Sequence, residues 1–452
     1  MQSSNGINEN IYPEKGSLKK ILGVGFGIAI TIGGTIGVGI LRTPGMVATQ
    51  LRNSYLIMAA WVIGGVYALL GTVSVIELGA MIPQAGGWYV FVRRAFGDYA
   101  GFVIGWSDWI ATSASVASFA IAIGEFSISL FPSGFLGIKE IAIISILLLT
   151  SLQWFGLKSG SLTQEITSII KVTAFLALVF TCFYFGKHVD GVSSINGEIA
   201  KLNLPTGLFA AFVIALQSII FTYDGWYSAI YFTEEDRDPG KNLSRSAISG
   251  VLAIIAIYLL VNLGLLYVLP VSELGSSTAP ATTAAIKMFG NNGGKIITIL
   301  SIAALISILN AALLIATRII FGLGRNKLFT TKITTVSKDG SPRFALLVST
   351  AFVILLIASD TLEILIAVSA FFYVVNYFAG FSSLFYLRKK EPELPRPVKA
   401  WGYPWTPLIF ITGSLIFLIG DVFSDPLNAL FAMVFFALSY PAFKLVRKLN
   451  SI

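Results

Sequence analysis

The chain has one cysteine, one histidine and few charges, and each shortage removes a class of protein. Cys182 alone cannot form an intramolecular disulfide framework, and Cys182 with His188 cannot make a Cys/His metal cluster. Charged residues are 12% of 452, against about 25% in an ordinary soluble domain. Three soluble domains of roughly 150 residues could not cover their surfaces with so few solvated groups. His188 has no nucleophile paired with it, and no phosphate-binding GxxxxGK[S/T] loop occurs. Neither catalytic residues nor a cofactor or metal is therefore expected. Gly25-Phe-Gly27 opens an apolar run and follows no strand, so it is no dinucleotide fingerprint.

What is abundant is apolar surface. Hydrophobic residues make up 55% of the chain and aromatics 13%, which excludes disorder. Runs of about 18 or more apolar residues read as membrane-spanning helices. Twelve occur, at about 20–49, 55–82, 98–130, 138–157, 161–186, 206–235, 242–270, 292–325, 343–359, 361–388, 405–421 and 426–446. The expected fold is an all-α integral membrane protein. No alternation of the transmembrane β-barrel kind appears. The polar opening segment 1–19 reads as a cytoplasmic tail, because it lacks the apolar core of a signal peptide.

The net charge of +8 does not point to nucleic acid. Its basic residues fall in short clusters between apolar runs instead of on one solvated face. With twelve spans and both termini inside, 22 Lys and Arg lie on the cytoplasmic side and 7 outside. Lys171 and Arg318 lie within spans. That bias fits the positive-inside rule and gives a multi-pass protein of the cell membrane with both tails, 1–19 and 447–452, in the cytoplasm.

The first span carries Gly33-Gly34-Thr35-Ile36-Gly37-Val38-Gly39. Each helix-interior glycine costs about 1 kcal/mol relative to alanine, so four in seven residues favour an opening of the helix. A small-residue packing face is the competing reading. The sixth span carries Phe221-Thr222-Tyr223-Asp224-Gly225-Trp226. An Asp at a span centre costs about 2.5–3.5 kcal/mol on insertion scales and so faces a cavity or a partner; Asp-Gly also favours a break. Breaks in spans one and six of a ten-plus-two arrangement suggest two inverted halves, 20–186 and 206–388, followed by 405–446. Broken helices expose N–H groups at one end and carbonyls at the other. A zwitterion matches both.

Gly34-Thr-Ile-Gly-Val-Gly39, Glu77 through Pro83-Gln-Ala-Gly86-Gly87-Trp-Tyr89, Asp224-Gly-Trp226 on to Thr233-Glu-Glu235, and Arg396-Pro with Gly402-Tyr-Pro404 together resemble the amino acid–polyamine–organocation superfamily. The likeness is closest to its L-type amino acid transporters and covers nearly the whole chain. It implies a five-plus-five inverted repeat, alternating access through helices 1 and 6, and an amino acid as the small-molecule partner. It implies sodium-independent exchange or proton-coupled uptake of neutral amino acids. A polyamine or cationic amino acid carrier and a non-transporting sensor are the alternatives. Animal L-type relatives pair through an extracellular Cys; Cys182 lies within span five, so no disulfide-linked subunit is expected.

The expected substrate contacts are Thr35, Ile36, Gly37, Val38 and Gly39 of the first break with Phe221, Thr222, Tyr223, Asp224 and Gly225 of the second. Lys171, Phe221, Ser307 and Asn310 are expected to couple or gate. Lys171 lies mid-span, where by resemblance L-type relatives carry a lysine and sodium-coupled ones bind sodium. Its ammonium is expected against helix 1 carbonyls and a helix 8 hydroxyl, Ser301 or Ser307; snorkelling to an interface is the alternative. Phe221 matches the aromatic that closes over substrate, or is lipid-facing filler. Asp224 bonds the break's backbone or a cationic side chain. Asn310 and Arg318 match a helix 8 pattern of L-type transporters. Asp108 is a candidate proton carrier or a structural hydrogen-bonding group, Glu125 a further intramembrane polar group, and Glu77 a brace for a loop. Val38 replaces the Ser common in the helix 1 motif, leaving backbone N–H groups to hold a carboxylate.

Overall fold

In the computed structural model, residues 17–132, 134–186, 207–359, 362–424 and 426–450 are described. The amino-terminal tail through residue 16, His188 and most of the loop before the sixth span lie outside them. Among the described residues the architecture is all-helical, with one isolated β-bridge between Leu22 and Asp236.

The first apolar run divides into α1 (Val24–Thr35) and α2 (Gly39–Leu51), bent by 49°. Then come α3 (Ser54–Met81), a short α4 (Trp88–Phe96), α5 (Asp98–Leu130), α6 (Ile138–Trp154) and α7 (Leu157–Phe185). The sixth run is α8 (Gly207–Tyr223), which ends in turns and resumes as the 3-10 segment Ser228–Phe232. After α9 (Pro239–Val268), two short helices, α10 (Val271–Ser276) and α11 (Pro280–Phe289), fold within the connection to α12 (Gly293–Arg325). The last four are α13 (Arg343–Ala358), α14 (Leu362–Lys390), α15 (Trp405–Ser424) and α16 (Pro426–Asn450). Eight helical stretches of the described residues are long and apolar enough to cross a membrane, and the bent pair α1–α2 makes a ninth. Helix α16 carries through to Asn450, so residues 447–450 extend a helix where the sequence suggested a tail.

Local signals set the boundaries. The Asn53 side chain caps α3, accepting from the Tyr55 and Leu56 N–H groups at 3.0 and 3.1 Å. Pro239 opens α9, where a missing N–H costs nothing. Gly97 (φ 94°) and Gly156 (φ 123°) make the reversals into α5 and α7 in a region closed to residues with a Cβ.

Polar groups point inward, as a lipid environment requires. On α7, Gln164, Ser168 and Lys171 share a buried face at helical spacing, while Ile169, Ile170 and Phe180 are exposed. Helix α5 is central, packed against α4, α6, α12, α13 and α14. Glu125 lies on the exposed face of α5 near its end.

Candidate functional site

Both breaks fall where the glycines and the Asp-Gly pair suggested, and they touch. A Cβ on Gly225 (φ 100°) would lie 2.3 Å from the Gly34 carbonyl oxygen, and one on Gly34 would lie 2.3 Å from Ser228 Oγ. Only bare backbone lets the two interrupted helices approach this closely. The small-residue reading is thereby also realised: Gly27 abuts Ser246 and Gly33 abuts Gln164.

The ends facing the breaks are treated unequally. At the carboxyl end of α1, the Lys171 ammonium donates to the Gly33 carbonyl at 3.0 Å and to the Ile36 carbonyl. Lys171 is 1% exposed, so it does not snorkel. Neither Ser301 nor Ser307 hydrogen-bonds to it, correcting that expectation; Ser307 meets Ser168 at 3.4 Å. A second clamp comes from Tyr258 of α9, whose hydroxyl lies 3.2 Å from the Thr35 carbonyl and 3.0 Å from the Thr222 carbonyl. It ties the last turns of α1 and α8 together. By contrast the amino end of α2 has no side-chain cap: the Val38 side chain carries no oxygen, and of the first-turn N–H groups that of Leu41 meets the Val38 carbonyl at 3.0 Å. Gly37, Val38 and Gly39 are half-buried around these first-turn N–H groups. Thr43 Oγ1 and Thr222 Oγ1, 2.7 Å apart, fix α2 against α8.

Thr222 and Tyr223 are buried in this junction, with the Tyr223 hydroxyl 3.3 Å from the Trp61 carbonyl. Asp224 is half-buried and accepts a hydrogen bond from the Tyr377 hydroxyl of α14. Tyr377 in turn packs among Trp88, Trp226 and Tyr227. Phe221 stands apart from the other named residues. It is 71% exposed at the edge of the break.

Asn310 lies away from the break, within a relay of amides. Its Nδ2 donates to Gln164 Oε1 at 2.8 Å, and its Oδ1 accepts from Gln153 Nε2 at 2.9 Å. Gln164 Nε2 and Ser168 Oγ then reach the Ala29 carbonyl at 3.3 and 2.8 Å. Gln164, Ser168 and Lys171 thus hold the first span at Ala29 and Gly33 of α1 and at Ile36 just beyond its end.

Ion pairs gather at the far end of the sixth span. Arg318 grips Glu235 with two hydrogen bonds of 3.1 and 3.0 Å, both groups buried, and its guanidinium lies over the Phe232 ring. Arg325 pairs with Glu234, which also accepts from the Ala85 N–H at 2.8 Å. This explains the Ala-Gly-Gly motif. A Cβ on Gly86 would strike the Tyr89 ring, and one on Gly87 the Tyr231 ring. Leu22 donates to the Glu235 carbonyl at 2.9 Å and accepts from Arg237 at 3.1 Å, so the start of the first span is zipped to the end of the sixth. Glu77 braces a loop as expected: Arg388, Arg396 and the Ala400 N–H converge on it.

Two interrupted apolar helices in close backbone contact, inside an inward-polar bundle, define a multi-pass helical membrane protein. The amino acid permease family model matches residues 27–442, and the chain belongs to that family. The serine/threonine exchanger SteT of Bacillus subtilis (strain 168) is 28% identical over 424 residues, 92% of this chain and 94% of SteT. The b(0,+)-type amino acid transporter 1 of Mus musculus is 26% identical over 442 residues, 94% of this chain and 87% of that protein. The large neutral amino acids transporter small subunit 2 of Rattus norvegicus is 28% identical over 429 residues, 91% and 77% respectively. The superfamily and L-type likeness carried by the motifs holds.

Tyr258, Tyr377 and Gln164 were missed from sequence. The polar positions 164, 168 and 171 recur on one helical face within an apolar run, which is a readable signal. The two tyrosines are indistinguishable by sequence from the 14 others.

Proposed function

We propose that the protein is a sodium-independent secondary transporter of neutral amino acids that works by alternating access. The observation that carries this reading is the amino terminus of α2, without a side-chain cap, opposite the break in the sixth span. Unpaired N–H groups at a helix start favour a carboxylate, and the Gly37–Gly39 backbone offers them without a competing side chain. The substrate ammonium sits against the stretch from Phe221 to Gly225, where the helix ladder lapses. Asp224 is engaged by Tyr377, which favours a neutral over a cationic cargo. Lys171 fills the α1 carbonyls with its own N–H donors, so no sodium ion is needed there. Phe221 closes over the bound solute.

In this reading twelve spans cross the cell membrane with both termini in the cytoplasm. Residues 20–186 and 206–388 form the inverted halves, and 405–446 adds two spans. The protein works without a disulfide-linked subunit. SteT is named as a serine/threonine exchanger and the mammalian relatives as amino acid transporters, which supports this cargo class. The test is counterflow in proteoliposomes: vesicles preloaded with unlabelled L-serine or L-leucine should draw in the labelled compound in sodium-free buffer. Absence of counterflow for all neutral amino acids, or a strict sodium requirement, refutes the proposal.

A further inference from the structure

Asp108 has no part in the site above, and its surroundings are unusual for a carboxylate. It lies ten residues into α5 and is fully buried. The Tyr231 hydroxyl donates to its Oδ2 at 2.8 Å, while Oδ1 is buried without a hydrogen-bond partner. Facing it is the amide of Asn376 on α14. That amide accepts from Ser107 at 3.2 Å through Oδ1, and its own Nδ2 is left without a partner. An amide presents a donor or an acceptor depending on which way it is turned. Turned one way, Asn376 donates to an ionised Oδ1; turned the other, it accepts the proton of a neutral one. The pocket accommodates both forms.

The charges around Asp108 make that choice consequential. From the sixth span it faces Tyr231 and Tyr227, with the Asp224 carboxylate beyond; from α14 it faces Asn376 and Tyr373. The cations on neighbouring elements are engaged elsewhere. Arg93 and Arg94 of α4 pair with Asp98 and Glu391, and Arg318 and Arg325 of α12 pair with Glu235 and Glu234. Arg343 at the start of α13 pairs with Asp339. Helix α6 is charged only in its first turn, at Lys139 and Glu140. Helix α12 carries one further charge, Lys295, in its first turn, and in α14 Arg388, Lys389 and Lys390 occupy the last turn. Helix α16 is charged only from Lys444 onward. Among the described residues no cation hydrogen-bonds to Asp108. A buried carboxylate without a counter-ion costs several kcal/mol, so its ionised form depends on the few donors aimed at it.

Tyr231 belongs to the 3-10 segment that follows the break in the sixth span, whereas Asp108 sits on an uninterrupted 33-residue helix. A hinge at the break would move Tyr231 relative to Asp108. We propose that Asp108 takes up a proton when Tyr231 withdraws and gives it back to water on the opposite side when Tyr231 returns, so that one proton crosses with each substrate. The step is a simple protonation, carboxylate plus H⁺ to carboxylic acid. It rests on the transport reading and supplies its coupling ion.

The experiment is uptake of radiolabelled L-serine or L-leucine into proteoliposomes with and without an inward-directed proton gradient. Wild-type protein should accumulate substrate about tenfold per pH unit, the ratio for one proton per substrate. Asp108→Asn should retain counterflow at symmetrical pH and lose the response to the gradient. Tyr231→Phe, a milder change, should move the pH midpoint of counterflow upward, because it removes a donor to the anion; a purely structural role would lower the rate at every pH alike. Wild-type counterflow indifferent to the gradient, or Asp108→Asn that still accumulates, overturns the proton site. Absence of wild-type counterflow overturns the transport reading instead.

Discussion

Replacing Lys171 is the most direct test of how the first broken helix is held. The ammonium makes two charge-assisted bonds to the Gly33 and Ile36 carbonyls, each worth about 1.5–3 kcal/mol. Lys171→Met keeps the stem and its packing but removes both bonds and leaves two buried acceptors unpaired. Against this, the buried ammonium no longer has to be desolvated, which returns several kcal/mol. The net loss for docking of α1 on α7 is about 2–4 kcal/mol, or roughly a 30- to 1,000-fold shift in any equilibrium that needs the docked form. Initial counterflow rates should fall at least 30-fold, with the variant still recovered in the membrane at wild-type yield. Lys171→Ala should be slower still, because it adds a cavity. Rates within threefold of wild type at equal reconstituted protein would refute the idea that this charge organises the break.

Other substitutions probe separate parts. Phe221→Ala should leave Tm unchanged, since the ring is 71% exposed, yet cut counterflow by tenfold or more; full uptake would remove Phe221 from the gate. Gly225→Ala should lower Tm and abolish counterflow, as its Cβ would lie 2.3 Å from the Gly34 carbonyl; a wild-type melting curve would show that the two breaks do not touch. Arg318→Ala strands Glu235, which is fully buried, and should destabilise by about 3–5 kcal/mol. The paired change Arg318→Leu with Glu235→Leu should recover most of the melting temperature; equal losses in both variants would refute the uncompensated-charge argument.

The elements that could be read from sequence are those whose signal is local. Glycine clustering located the first break and Asp-Gly the second, because backbone preference acts within a few residues. The run at 292–325 reappears as α12 (Gly293–Arg325) for the same reason. What escaped was of two kinds. Helices α10 and α11 are only six and ten residues long, too short to register as apolar runs of about 18 residues. The partners of the polar residues are set by the fold: Tyr377 lies 153 positions from Asp224, and Tyr231 lies 123 from Asp108. Helices that are apolar on nearly every side give no stripe from which to infer which neighbour they meet. Lys171 was legible as a buried charge, but its choice of carbonyls over Ser307 depended on the depth at which α7 crosses α1.

The contact between Gly34 and Gly225 has a consequence for how such a molecule diversifies. Because the closest approach at the joint is between peptide groups, with the Tyr258 hydroxyl and the Thr43–Thr222 pair as its side-chain ties, its geometry should survive exchange of the other side chains nearby. Cargo preference is free to drift through substitutions on the surrounding walls while the hinge beneath them stays the same. Mutational retuning should succeed at wall positions such as Ile308, whose Cδ1 lies nearest Gly37, and fail wherever a methyl group is forced between the two rods.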